Sequence, residues 1–184
     1  MATETEIVTA ARAFAIVAHG DQRYGRGAEA RPYVAHLDEV ADVLRELAAA
    51  PGGVELAAAY LHDVIEDTGT TADAIEAAFA RFGADAAAHI AAIAAFCTDE
   101  PGPNRKLRKA ATYARMRRDV AAAPAWIRSA VQVKLADRIA NLRACHRENA
   151  SLLEMYRRES ASFREALYAA GMCEPMWAEH DRLT

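Results

Sequence analysis

The segment Ala57-Ala58-Ala59-Tyr60-Leu61-His62-Asp63-Val64-Ile65-Glu66-Asp67-Thr68 constrains this 184-residue chain more than any other. Its first half is apolar and rich in alanine, the strongest helix former, so one helix over about 54–67 is predicted. Four ionisable side chains then fall within six residues, His62 to Asp67. Residues four apart share a helical face, which sets His62 over Glu66 and Asp63 over Asp67 while Val64 and Ile65 point elsewhere. A helix apolar enough to be buried carries such a cluster only with a compensating cation, because desolvating unpaired charge is costly. A divalent metal is the natural occupant. Imidazole with carboxylate suits Mn, with Fe, Zn or Ni as alternatives, better than it suits Mg or Ca, which prefer oxygen alone.

Composition sets the frame for that cluster. Apolar residues make up 53% of the chain and alanine tracts recur, as at Ala86-Ala87-Ala88, so an all-α fold is expected, one domain over residues 1–184. The net charge of −4 argues against a nucleic-acid surface, and any phosphate recognition must be local. Cys97, Cys145 and Cys173 form no Cys-x-x-Cys pair and read as idle thiols of a reducing compartment. Residues 1–7 carry Glu4 and Glu6 where a secretory leader would be basic, and no apolar run approaches membrane-spanning length. A cytoplasmic protein with a small-molecule partner and no membrane partner is expected; oligomeric state is not legible.

Hydrophobic spacing predicts a first helix over about 4–20 with Ile7, Ala11, Phe14, Val17 and Ala18 inward, ending near Gly20. A basic, glycine-rich loop, 23–32, follows. A second helix opens at Pro32-Tyr33 and stops at Ala50-Pro51-Gly52-Gly53. Beyond the central segment, Thr70 with Asp73 suggests a capping box for a helix to Arg81, and another helix covers about 84–96. Pro101 and Pro103 mark a loop before a basic helix, and Pro124 precedes a helix in which Lys134, Asp137 and Asn141 share an edge. A long amphipathic helix over 149–172, with Arg157, Arg158, Glu159, Arg164 and Glu165 outward, leads to a short tail packed by Trp177.

Three segments in order, Tyr33-x-x-His36, Leu61-His62-Asp63-x-x-Glu66-Asp67-Thr68 and Lys134-Leu135-Ala136-Asp137-Arg138-x-x-Asn141, resemble the HD metal-dependent phosphohydrolase superfamily. Within it the pattern is most similar to the hydrolase domain of RelA/SpoT-type alarmone enzymes and to the small stand-alone alarmone hydrolases. The resemblance implies a helical HD-domain bundle in which His36, His62, Asp63 and Asp137 hold one metal, Mn by preference. Glu66 and Asp67 would be catalytic, orienting water and passing a proton to the leaving oxygen. Arg23, Arg26, Arg105, Lys109, Tyr113, Lys134 and Asn141 would meet the substrate, a (p)ppGpp-like guanosine nucleotide losing its 3′-pyrophosphate. Two departures concern the substrate alone. Gln22-Arg23-Tyr24 and a lengthened loop replace the family's Gln-x-Arg-Lys, and Ala144-Cys145 stand where a small hydroxyl residue is usual. Another nucleotide or small phosphate ester, or a non-catalytic nucleotide sensor, therefore stays open beside the alarmone reading.

Overall fold

The computed structural model describes residues 3–25, 27 and 30–184. Helix α1 (Glu4–His19) begins with a reciprocal cap in which Thr3 Oγ1 accepts from the Glu6 amide and the Thr3 amide donates to Glu6 Oε2. Its buried stripe is Ile7, Ala11, Ala15 and His19, one every fourth residue. Val17, predicted to face inward, is 82% exposed, because the stripe that meets the core runs through the alanines. Those small side chains let α1 lie close against α3 (Gly53–Leu61), and a Cβ on Gly53 would stand 2.8 Å from Ile7 Cγ2.

The basic loop contains a minimal antiparallel pair, β1 (Arg23–Tyr24) with β2 (Arg31–Pro32), which leads into α2 (Val34–Leu47). Helix α3 packs against α1 and α2 and also against α6 (Ala84–Cys97) and α8 (Ile127–Glu148). Ala57, Ala58 and Ala59 are accordingly all fully buried. The single helix predicted over 54–67 is broken. Helix α3 ends at Leu61 and α4 (Val64–Thr68) restarts after Asp63, because the His62 imidazole turns inward and its Nδ1 bonds the Ala59 carbonyl at 2.7 Å. Gly69, at φ +74°, closes α4 in the left-handed region. Thr71, not Thr70, caps α5 (Ala72–Phe79), accepting from the Ala74 amide, and a 3₁₀ turn over Ala80–Phe82 finishes the segment expected to be helical to Arg81.

Helix α7 (Arg105–Ala122) pins the preceding loop. Arg115 donates to the carbonyls of Phe96 and Thr98 and to Glu100, while Thr112 Oγ1 accepts from the Glu100 amide. Helix α9 (Ala150–Leu167) is shorter than predicted, and the supposed tail is a helix, α10 (Glu174–Leu183), with Trp177 at its centre. Glu159 does not face out: it receives both Arg105 and Arg138 at the α7–α8–α9 junction. The buried apolar residues form one contiguous core, and none of the described helices is long and apolar enough to cross a membrane.

His180, fully buried on α10, packs on Phe163 at 5.6 Å and Trp177 at 5.4 Å. Burial pushes its imidazole below the ordinary 6.5, against the raising effect of Asp181. The unfolded chain therefore accepts a proton that the folded chain resists, so stability is full above that pH and lost as the pH falls through it. His180→Phe should flatten the acid side of a urea-denaturation stability profile. An unchanged slope in the variant would remove His180 as the cause.

Candidate metal centre

His36 sits in the first turn of α2, Asp137 mid-way along α8, and His62 and Asp63 at the α3–α4 break. His36 Nε2 lies 3.4 Å from Asp137 Oδ1 and 3.8 Å from Asp63 Oδ2. His62 Nε2 lies 3.0 Å from Asp63 Oδ2 and 3.6 Å from Asp137 Oδ1. Donor atoms of His36, His62 and Asp137 fall within 4.8 Å of one another.

Protonation of this group follows from its contacts. The Ala59 carbonyl can only accept, so His62 Nδ1 carries a proton and a neutral ring presents a lone pair at Nε2. That Nε2 is buried without a hydrogen-bond partner and faces two carboxylate oxygens. Repulsion results unless a cation lies among them. Burial favours the neutral His62 ring, but Asp63 and Asp137 overcome it and hold the imidazole well above its ordinary 6.5. Burial likewise opposes the charge of both aspartates, yet His62 holds Asp63 low, and Lys134 with the two histidines holds Asp137 low. A divalent ion fits this donor set by replacing the extra proton. Saturation with such a metal, at about a hundred times its Kd, should stabilise the fold by about 2.7 kcal/mol. For a chain of this size that is about 5–10 °C, read as melting curves in EDTA against added Mn²⁺, and coincident curves would reject the site.

Surrounding groups fix the ligands. Tyr33 donates its hydroxyl to Asp63 Oδ2 at 2.5 Å. Asn141 donates from Nδ2 to Asp137 Oδ1 at 2.5 Å, and its Oδ1 accepts from the Tyr24 hydroxyl at 3.0 Å. The Tyr24 ring stacks on His36 at 4.6 Å between centroids. Lys134 Nζ bonds the Cys97 carbonyl at 2.9 Å and stands 3.4 Å from Asp137 Oδ2. Burial opposes the Lys134 charge, but Asp137 overrides it and keeps the ammonium above its usual range.

Beyond Tyr24 and Asn141 opens a cavity of about 460 Å³, with Ala144, Cys145, Leu152 and Met155 as apolar lining and Glu148 and Ser151 as polar lining. Over 159 residues, 11–169, the chain matches the sequence model of a family described as the HD domain. The chain belongs to the HD domain family. The guanosine-3′,5′-bis(diphosphate) 3′-pyrophosphohydrolase MESH1 of Mus musculus is 34% identical over 147 residues, 80% of this chain and 74% of that protein. MESH1 of Homo sapiens matches at the same identity and coverage. A probable enzyme of the same name from Synechocystis is 32% identical over 139 residues, and there the chain spans only 16% of the relative's length. A solved structure described as a metazoan ortholog of SpoT that hydrolyses ppGpp shares the fold, with a TM-score of 0.72 at 21% identity, over 96% of this chain and 93% of that one.

Within this HD domain the other predicted residues are placed differently. Because the helix is broken, the expected polar stripes do not form: His62 is fully buried, while Glu66 and Asp67 are exposed. Glu66 Oε2 accepts from the Asp99 amide at 2.9 Å, and Asp99 in turn pairs with Lys109 at 2.8 Å. Burial raises the Glu66 carboxyl above its ordinary 4.5, against the lowering effect of the Asp99 amide. Asp67 Oδ2 accepts from Gln22 Nε2 at 2.7 Å. Arg23 donates to the Ala30 carbonyl at 2.5 Å, and Arg26 lies outside the described residues. Arg105 and Tyr113 are not brought to the cluster: Arg105 forks onto Glu159, and the buried Tyr113 hydroxyl accepts from Arg138 at 3.0 Å. Sequence reasoning assigned no role to Tyr24, Tyr33, Gln22 or Asp99. Tyr33 stood inside a quoted motif and carried the one available signal; the rest depend on contacts between distant segments.

Proposed function

We propose that this HD domain is a metal-dependent phosphohydrolase that removes the 3′-pyrophosphate of (p)ppGpp-like guanosine nucleotides. The observation that carries the reading is the buried, unpartnered His62 Nε2 facing Asp63 and Asp137 beside His36, at the edge of a nucleoside-sized cavity. Its MESH1 relatives, named for this reaction, support the substrate.

His36, His62, Asp63 and Asp137 would hold the ion, Mn²⁺ in preference to Fe, Zn or Ni. A bound metal of this kind supplies an acidified water at neutral pH and neutralises phosphoryl charge. Asp67 orients the attacking water at the exposed mouth. Glu66, whose raised carboxyl retains a proton more readily, donates it to the leaving 3′-oxygen. Lys134 and Lys109 offset charge on the phosphoryl oxygens, with Arg23 and Arg26 reaching from the hairpin. Asn141 and Tyr24 border the nucleoside, and Arg105 and Tyr113 support that wall through Glu159 and Arg138. Three buried free thiols, Cys97, Cys145 and Cys173, support a cytoplasmic setting.

The test is release of pyrophosphate and GDP from ppGpp by Mn²⁺-loaded protein, beside a panel of other nucleotides and phosphate esters. Ala144 and Cys145 in the cavity wall favour a second reading, a different nucleotide or ester, since no hydroxyl is presented at those positions. Turnover of another panel member but not ppGpp would select it. Nucleotide binding without turnover by metal-loaded protein would instead identify a sensor.

A further inference from the structure

His19, the last residue of α1, is buried to 7% exposure and has no part in the mechanism above. Its Nδ1 lies 2.7 Å from Gln22 Oε1, and Gln22 Nε2 lies 2.7 Å from Asp67 Oδ2. We propose that His19 and Gln22 form a positioning chain that holds the Asp67 carboxylate at the mouth of the metal centre. The inference rests on the proposed hydrolysis for its kinetic consequence, not for its geometry.

Chemistry fixes the direction of the chain. An ionised carboxylate only accepts, so Gln22 must present its amide N–H to Asp67. Its carbonyl oxygen is then left for His19, which must donate from Nδ1. A flipped amide would set oxygen against oxygen at 2.7 Å. With the proton on Nδ1, His19 Nε2 is a bare lone pair, in keeping with its being buried and without a partner.

Both members are clamped. The Gln22 amide donates to the His19 carbonyl at 3.0 Å across a turn in which Gly20 takes φ +52°. The Tyr33 amide donates to the Gln22 carbonyl at 3.0 Å. The His19 ring stacks on Tyr33 at 4.4 Å and 26°, the same ring whose hydroxyl bonds Asp63. One imidazole therefore braces a ligand-holding tyrosine on its face and, through Gln22, an acid on its edge. Asp67 needs such a hold: an exposed carboxylate samples several rotamers, and Gln22 reaches it from 45 residues away.

The test compares Gln22→Ala, His19→Phe, His19→Asn and the Gln22→Ala/His19→Phe pair with wild type, using ppGpp and Mn²⁺. Phenylalanine keeps the stack on Tyr33 and removes the donor, while asparagine restores an N–H near Nδ1. Gln22→Ala and His19→Phe should each lower kcat about tenfold, within the ~100-fold that misplacing a reacting group can cost, and leave KM within about twofold. The pair should be no worse than Gln22→Ala, and His19→Asn should regain most of the loss. Unchanged kcat in either single variant, or multiplicative losses in the pair, overturns the chain. The ¹⁵N spectrum of the His19 ring in Zn²⁺-loaded protein separates this from failure of the proposed reaction. An Nδ1–H tautomer in wild type that is lost in Gln22→Ala sustains the chain even if ppGpp is not turned over; an Nε2–H tautomer overturns it.

Discussion

Asp63→Asn is expected to leave the fold standing and abolish turnover. Asp63 Oδ2 is the atom that accepts from Tyr33 and lies 3.0 Å from the orphaned His62 Nε2. An amide nitrogen in that place donates to the His62 lone pair and to the Tyr33 oxygen, so the cluster becomes satisfied without a cation. The metal-free variant should therefore melt at or above the temperature of metal-free wild type, as when stability is regained at the expense of a functional site. Metal content after dialysis should fall to a small fraction of one ion per chain. Turnover should drop by about 10³-fold or more, the scale on which loss of one member of a cooperating catalytic set acts. Metal analysis, melting curves and pyrophosphate release decide this together. Full metal content with wild-type turnover would dismiss Asp63 as a ligand and the hydrolase reading with it.

Glu159→Ala should produce a large loss of stability far from the chemistry. Arg138 is 5% exposed, with its guanidinium 4.5 Å from the Tyr156 ring centroid and 4.4 Å from that of Phe163. Glu159 Oε2 lies 3.6 Å from Arg138 and also takes one arm of the Arg105 fork. Removing the carboxylate leaves a buried arginine without its counter-ion, which costs about 3 kcal/mol. For a chain of this length the melting temperature should fall by about 6–12 °C. Pairing Arg138→Met with Glu159→Leu should recover most of the loss, because the site then asks only for apolar packing. A single variant that melts with wild type would show that Glu159 is dispensable as counter-ion.

The two cases mark where local reading ends. The alanine-rich stretch, the glycine after α1 and the proline before α8 spoke for helices because their signals act within one or two turns. Glu159 lies among Arg157, Arg158 and Glu165 in a charged helix, and nothing local separates an acid facing water from one facing a buried arginine on another helix. The α3–α4 break was hidden for a related reason. Residues 54–67 have good helical propensity throughout, and the helix parts there because His62 spends its Nδ1 proton on the Ala59 carbonyl while its other nitrogen turns to Asp63 and Asp137. Helix α10 was missed because ten residues carry too little periodicity to distinguish a short helix from a packed tail.

From the sequence alone came the all-helical character, the place of each motif along the chain and the chemistry of the candidate donors, since periodicity and residue type are local properties. Only the tertiary structure decided which of those groups meet. The Tyr24 hydroxyl reaches Asn141 across 117 residues, His36 comes within 3.4 Å of an oxygen of Asp137, and His19 gains a bearing on Asp67. Such contacts are set by how α1, α2, α3 and α8 pack around one core, and packing is a property of the whole chain that no single segment carries.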